Sequence, residues 1–257
     1  MLYGADLPFG DPSVAALTRA QRTAIAGHWK HRARSELQVG RAFAAMVPLL
    51  RERRASSAVL DRLQSGADEE VRHSEICSQL AETYAGESVL RPQIDSVPLP
   101  HFDVGDDELE TALLVAGMCC VNETIATAWI SACLSAAETP LGQMANRIHL
   151  HDEIEHARVG WAHLASDAVS DATRAALGPC LPRLIEANAP GWERDDPSLP
   201  PEGVPSHGHL PFDVSRRIFL DAVSDLVLPG FAHVGVDIGP ARAWLAQRTG
   251  RPDPAAA

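Results

Sequence analysis

Two Glu-x-x-His pairs, Glu70-Val71-Arg72-His73 and Glu153-Ile154-Glu155-His156, each follow a lone glutamate at a similar distance, Glu36 before the first and Glu123 before the second. In an α-helix, positions i and i+3 project from one face, so each pair can grip one metal ion with a carboxylate and an imidazole. The two lone glutamates would bridge the ions. Four carboxylates neutralise two divalent cations, which lets the set sit in an apolar interior. On helical hairpins, ligands lie level only when the turn falls midway between them. The midpoint of Glu36 and Glu70 is Arg53, beside Arg54-Ala55-Ser56-Ser57; that of Glu123 and Glu153 is Glu138, followed by Thr139-Pro140. Both read as helix-helix turns. The pattern predicts an all-α chain, a four-helix bundle with a di-metal centre in its core. The competing reading is solvated helix-face charge, the usual fate of Glu and His.

The rest of the chain fits this frame. A length of 257 residues, 46% of them hydrophobic and only 5% aromatic, suits one domain of close-packed helices. A net charge of −12 without a Lys/Arg-rich tract argues against nucleic acid or an anionic membrane as partner, and favours a small molecule. The start, Met1-Leu2-Tyr3-Gly4, has no basic region followed by an apolar one, and no uncharged run is long enough to span a bilayer, so a cytoplasmic enzyme is expected. The cysteines, Cys77, Cys119, Cys120, Cys133 and Cys180, are odd in number without C-x-x-C spacing, so neither a disulfide framework nor a zinc site is expected. Cys119, one turn before Glu123, either lines the metal pocket or is a small buried hydrophobe.

Caps and periodicity place a first helix from Ser13 to about Ala26, a second from His28 to Arg54, and a third from Ser57 to Ala85. The Pro-containing stretch 86–106 crosses between the hairpins. Helices from Asp107 to Ala137 and from Pro140 to Ser166 form the second hairpin, giving a bundle core of about 28–167. A C-terminal helical elaboration spans about 170–250: a helix from Ser170 to Asn188, a Pro/Gly-rich loop from Ala189 to Pro211, helices from Val214 to Val227 and Pro240 to Arg248, then a tail of Pro252 to Ala257.

With their flanks, Glu36 and Glu69-Glu70-Val71-Arg72-His73, then Glu123 and Asp152-Glu153-Ile154-Glu155-His156, resemble two copies of the Glu-spacer-Asp-Glu-x-Arg-His motif of ferritin-like di-iron oxygenases. Glu69 stands where that family has Asp, and Glu155 where it has Arg. His149, one turn before Glu153, adds a resemblance to the p-aminobenzoate N-oxygenase group, in which a third histidine joins one iron; the other reading is a merely buried or supporting histidine. The resemblance implies a ferritin-like four-helix bundle with additional N- and C-terminal helices and two iron ions, with manganese or mixed Mn/Fe centres using the same ligands. The implied ligands are Glu36, Glu70, His73, Glu123, His149, Glu153 and His156.

It further implies activation of O₂ through a bridged peroxo to oxidise a small organic substrate, by N-oxygenation of an (aryl)amine in secondary metabolism. Alternatives on the same centre are C–H hydroxylation, desaturation, decarbonylation, or a ferroxidase or iron-storage role. No flavin or nicotinamide fingerprint is evident, so electrons would come from an external donor such as a reductase or ferredoxin. A homodimer is compatible with the sequence. Around the ligands, Asp152 is expected to orient His73 and Glu69 to orient His156, with Arg72 as charge partner. Thr127, one turn after Glu123, either faces the reacting site or bonds its own i−4 carbonyl. Gly40 and Ala126 either leave space near the metals or serve helix packing.

Overall fold

The computed structural model describes residues 7–193 and 200–250, and these are all-helical. Helix α1 is a single turn, Ser13–Ala16, and α2 runs unbroken from Arg19 to Glu52. The expected break near Gly27 is therefore wrong. The physical start signal is a capping box: Thr18 accepts from Gln21 N while the Gln21 side chain accepts from Thr18 N, worth about 1 kcal/mol. Downstream of this box Gly27 is merely tolerated inside the helix. The first turn falls where the midpoint argument puts it. Helix α2 stops at Arg53, Arg54 takes a left-handed φ of 58°, and Ser56 caps α3, Ser57–Ala85. Gly86, with φ of 74°, ends α3.

A helix-free crossing leads to α4, Asp107–Val115. Asp106 caps it by accepting from Glu108 N and Leu109 N, and three acidic residues in the first turn complement its dipole. The helix then widens into a π-helical segment, Ala116–Asn122, and resumes as α5, Glu123–Ala136. The second hairpin turns at Thr139, whose side chain accepts from Gly142 N ahead of Pro140, opening α6, Pro140–Leu164. Helix α2 packs on α3, α5 on α6, and α3 on α6. Taken as one, Asp107–Ala136 is the single helix among the described residues long and apolar enough to cross a membrane by length and composition, yet 61% of its most apolar stretch is buried inside the protein and Glu123 interrupts it.

The apolar interior falls into two clusters separated by a polar layer. Along α2, Ile25, Trp29 and Ala33 belong to one cluster and Phe43, Met46 and Leu50 to the other, with Glu36 and Gly40 between. On α3 the order reverses: Val59 and Leu63, then Glu70 and His73, then Ile76 and Leu80. Helix α6 passes from Leu141 and Ile148 through Glu153 and His156 to Val159 and Leu164. Gly40 makes the layer compact: a Cβ there would sit 2.9 Å from Glu70 Cβ and 3.0 Å from the Ala67 carbonyl, so its role is close helix packing rather than open space.

The C-terminal region continues as α7, Asp171–Leu177, a short 3₁₀ turn, and α8, Leu181–Glu193, where one helix to Asn188 was expected. It then forms α9, Phe212–Ala222, a π segment, α10, Leu228–His233, and α11, Gly239–Thr249. Leu181, Ile185, Phe219 and Phe231 join the same apolar cluster as the α4–α5 helix. Part of the expected 189–211 loop and all of the expected tail lie outside the described residues.

Candidate metal centre

The polar layer brings six of the expected ligands together. Glu70, His73, Glu123, Glu153 and His156 are at most 2% exposed and Glu36 is 8% exposed. Their donor atoms form two overlapping groups of four, Glu36, Glu70, His73 and Glu153, and Glu70, Glu123, Glu153 and His156. Glu70 and Glu153 belong to both. Glu70 turns Oε2 to His73 Nδ1 at 3.6 Å and Oε1 to His156 Nδ1 at 3.1 Å; Glu153 turns Oε1 to His73 Nδ1 at 3.8 Å and Oε2 to His156 Nδ1 at 3.4 Å. Two ions held here would therefore be bridged by the glutamates of the Glu-x-x-His pairs, with Glu36 and Glu123 each serving one side. This corrects the expectation that the lone glutamates bridge. The reason is reach: Glu70 and Glu153 each approach both imidazoles, whereas Glu36 and Glu123 each fall in only one group of four.

The histidines are set for coordination. His73 Nε2 lies 3.1 Å from Asp152 Oδ2, and His156 Nε2 lies 3.0 Å from Glu69 Oε2. A carboxylate only accepts, so each imidazole carries a proton on Nε2 and presents Nδ1 inward. Both Nδ1 atoms, with Glu70 Oε2 and Glu153 Oε2, are buried without a hydrogen-bond partner. Orphaned polar atoms of this kind are costly, and two divalent cations would satisfy all of them. The residues fit a pair of metal ions. We expect Asp152→Ala to weaken binding at the His73 position about 10- to 100-fold, measured by competition with a chromophoric chelator. Unchanged affinity would remove Asp152 from that role.

Without metal the layer stores protons. Burial, with the neighbouring Glu70 and Glu153 charges, pushes Glu36 up to about 8 although Arg32 opposes it. Burial and the same two carboxylates push Glu123 well above the carboxylate range. Burial works against charge on His73, but its contacts with Asp152 and Glu70 prevail and raise it to about 10. His156 is likewise raised by Glu153, Glu69 and Glu70 against its burial. Glu70, facing both imidazoles, is held below the usual range despite burial.

Other expected residues are placed as follows. Arg72 reaches Glu69 at 3.4 Å from a half-exposed position. Glu155 pairs with Arg62 of α3 and with Arg158. His149 is fully buried, yet its donor falls with Glu36 and Cys77 rather than in either group of four. Thr127 Oγ1 is buried without a partner, not bonded to its i−4 carbonyl, and the residue does not line the cavity beside the layer. Cys119 packs against Gly160, whose Cβ would lie 2.7 Å from Cys119 Cβ, so it is a packing residue.

A cavity of about 660 Å³, within the usual range for small-molecule sites, opens on Glu36, Glu70, Glu123 and Glu153. Ala126, Trp129 and Ile130 of α5 line it, as do Pro190, Trp192, His209, Leu210 and Phe212 of the C-terminal region. Arg32 escaped the sequence reading. Its Nε and Nη2 donate to Glu36 Oε1 at 3.0 and 2.7 Å, and its guanidinium lies over Trp29 and Trp129, 5.2 and 5.7 Å from the ring centroids. Its spacing of one helical turn from a ligand glutamate was the available signal. His209 also lines the cavity, and neither ring nitrogen has a partner. Nothing in the local sequence marks it. Compared with family models, curated proteins and solved structures, the chain finds no match.

Proposed function

We propose that this chain is a ferritin-like four-helix bundle whose buried layer holds two metal ions, iron by resemblance, and that it uses O₂ to oxidise a small organic molecule bound in the adjoining cavity. N-oxygenation of an arylamine is the reaction the sequence resemblance favours. The observation that carries this reading is the pair of four-donor groups sharing Glu70 and Glu153, with inward Nδ1 atoms left unpaired and a cavity beside them. Two ferrous ions bound there would supply electrons and open positions for O₂.

The chain's own residues do the rest. Asp152 and Glu69 hold the imidazoles in the ligating tautomer. Arg32 fixes Glu36 and offsets its charge, and Asn122 Nδ2 donates to Glu123 Oε1 at 3.1 Å. Trp129, Trp192 and Phe212 give the cavity an aromatic wall suited to a flat ring. The polar end faces the metals, which orients a substrate's reacting group toward them.

The test is stopped-flow absorbance after mixing O₂ with anaerobic protein carrying two ferrous ions per chain, with and without a panel of arylamines. We expect the first absorbing species to decay faster with an amine, and hydroxylamine or nitro product to appear. Prompt oxidation that ignores amines and repeats with further iron would instead establish ferroxidase activity.

A further inference from the structure

Beside the two groups of four lies a third donor cluster of a different chemical kind. Cys77 follows His73 by one turn on α3, His149 precedes Glu153 by one turn on α6, and both are fully buried. Cys77 Sγ, an imidazole nitrogen of His149 and a carboxylate oxygen of Glu36 all lie within 4.8 Å of one another. His149 Nδ1 is 2.8 Å from the Ala145 carbonyl, which can only accept, so Nδ1 carries the proton and Nε2 offers its lone pair. That lone pair faces Cys77 Sγ at 3.4 Å. In the metal-free protein the thiol donates to it.

We infer that Glu36, Cys77 and His149 form a third metal position, one that takes a thiophilic divalent cation of the Zn²⁺ or Co²⁺ type. The spacing suits this. An ion about 2.3 Å from a thiolate and about 2.1 Å from an imidazole nitrogen, at a tetrahedral angle, holds the two ligand atoms about 3.6 Å apart. The observed 3.4 Å is close to that edge, so the cation replaces the thiol proton with little movement. The charges balance: the thiol and Glu36 each give up a proton to solvent, and thiolate plus carboxylate neutralise one divalent ion. Burial, with the Glu36, Glu70 and Glu153 charges, holds the Cys77 thiol well above its ordinary value although Arg32 opposes them, so in the metal-free protein the sulfur keeps its proton until a cation displaces it. Sulfur, imidazole and one carboxylate select softer ions than the carboxylate-rich groups, which suit Fe²⁺ and Mn²⁺. The expectation of no zinc site rests on the absence of C-x-x-C spacing. This cluster is assembled from three helices, so no local spacing announces it.

The position shares Glu36 with one of the two groups of four and takes up His149, which the resemblance alone would give to one iron, and one titration separates the two centres. Full-length protein is titrated anaerobically with Co²⁺, following the visible ligand-field bands, the near-ultraviolet thiolate-to-cobalt charge-transfer band and bound metal per chain. The inference predicts a charge-transfer band that saturates with one cobalt, is bleached by Zn²⁺, and is lost in Cys77→Ser but kept in Cys119→Ser. Metal-edge X-ray absorption of the unaltered protein should show a sulfur neighbour at about 2.3 Å, so the result does not depend on the variant folding. Two bound ions without a charge-transfer band or sulfur neighbour would overturn the third position and leave the di-metal reading standing. No bound cobalt at all would overturn both.

Discussion

Glu70→Gln empties both proposed metal positions, whereas Glu36→Gln and Glu123→Gln each empty one. The asymmetry follows from the donor groups: Glu70 and Glu153 present one oxygen to each histidine, while Glu36 and Glu123 belong to one group apiece. Glutamine keeps the volume and loses the charge and most of the ligating power. Removing one carboxylate from the layer leaves two divalent ions undercompensated where residues are about 1–2% exposed, and an unpaired buried charge costs several kcal/mol. Elemental analysis after iron loading and dialysis should find about two iron ions in the parent chain, about one in Glu36→Gln and Glu123→Gln, and fewer than one in Glu70→Gln and Glu153→Gln. Retention of two ions in Glu70→Gln, with helicity unchanged, would show that the ions do not sit between His73 and His156.

What the sequence made legible was whatever repeats at helical spacing. The two Glu-x-x-His pairs, their midpoint turns at Arg53 and Thr139, and the Asp152 and Glu69 contacts all follow from i, i+3 and i, i+4 geometry on long helices. The bridging role was assigned to the wrong glutamates because spacing along one chain does not say which carboxylates meet across a bundle. The π segment Ala116–Asn122 was invisible for a related reason: its composition is that of an apolar α-helix, and the widening depends on how α4–α5 lies against α6 and α8. It leads directly into Glu123. Arg32 was within reach of the one-turn rule. His209 was not, since a loop residue that packs on His28 and Trp29 of α2, about 180 positions earlier, carries no periodic signal.

A metal-free sample is expected to lose stability as pH rises from about 5 to 9, and metal loading to reverse that trend. Glu36 and His73 both hold protons more tightly in the folded state, with values raised to about 8 and about 10 from 4.5 and 6.5. A group raised on folding stabilises fully below its unfolded value and ceases to do so as pH climbs through its folded one. The Glu36 contribution therefore fades between 4.5 and about 8, and that of His73 between 6.5 and about 10. Glu123 and His156 are shifted in the same direction. Glu70 and Asp152 are lowered, so their contributions are lost on acidification, below 4.5 and from 3.8 to about 2, outside this window.

Metal ions need the same lone pairs that those protons occupy, so binding must expel them and strengthens with pH. Each proton displaced is worth about 3 kcal/mol across about 2.5 pH units, which for a chain of this size is about 10 °C in thermal midpoint. The gap in midpoint between metal-loaded and metal-free protein should therefore widen by at least that amount from about pH 6 to about pH 8.5. Calorimetry in buffers of different ionisation enthalpy should count more than one proton released per ion. A gap constant over this range, with no proton release, would mean that the ions bind outside the layer formed by Glu36, Glu70, His73, Glu123, Glu153 and His156.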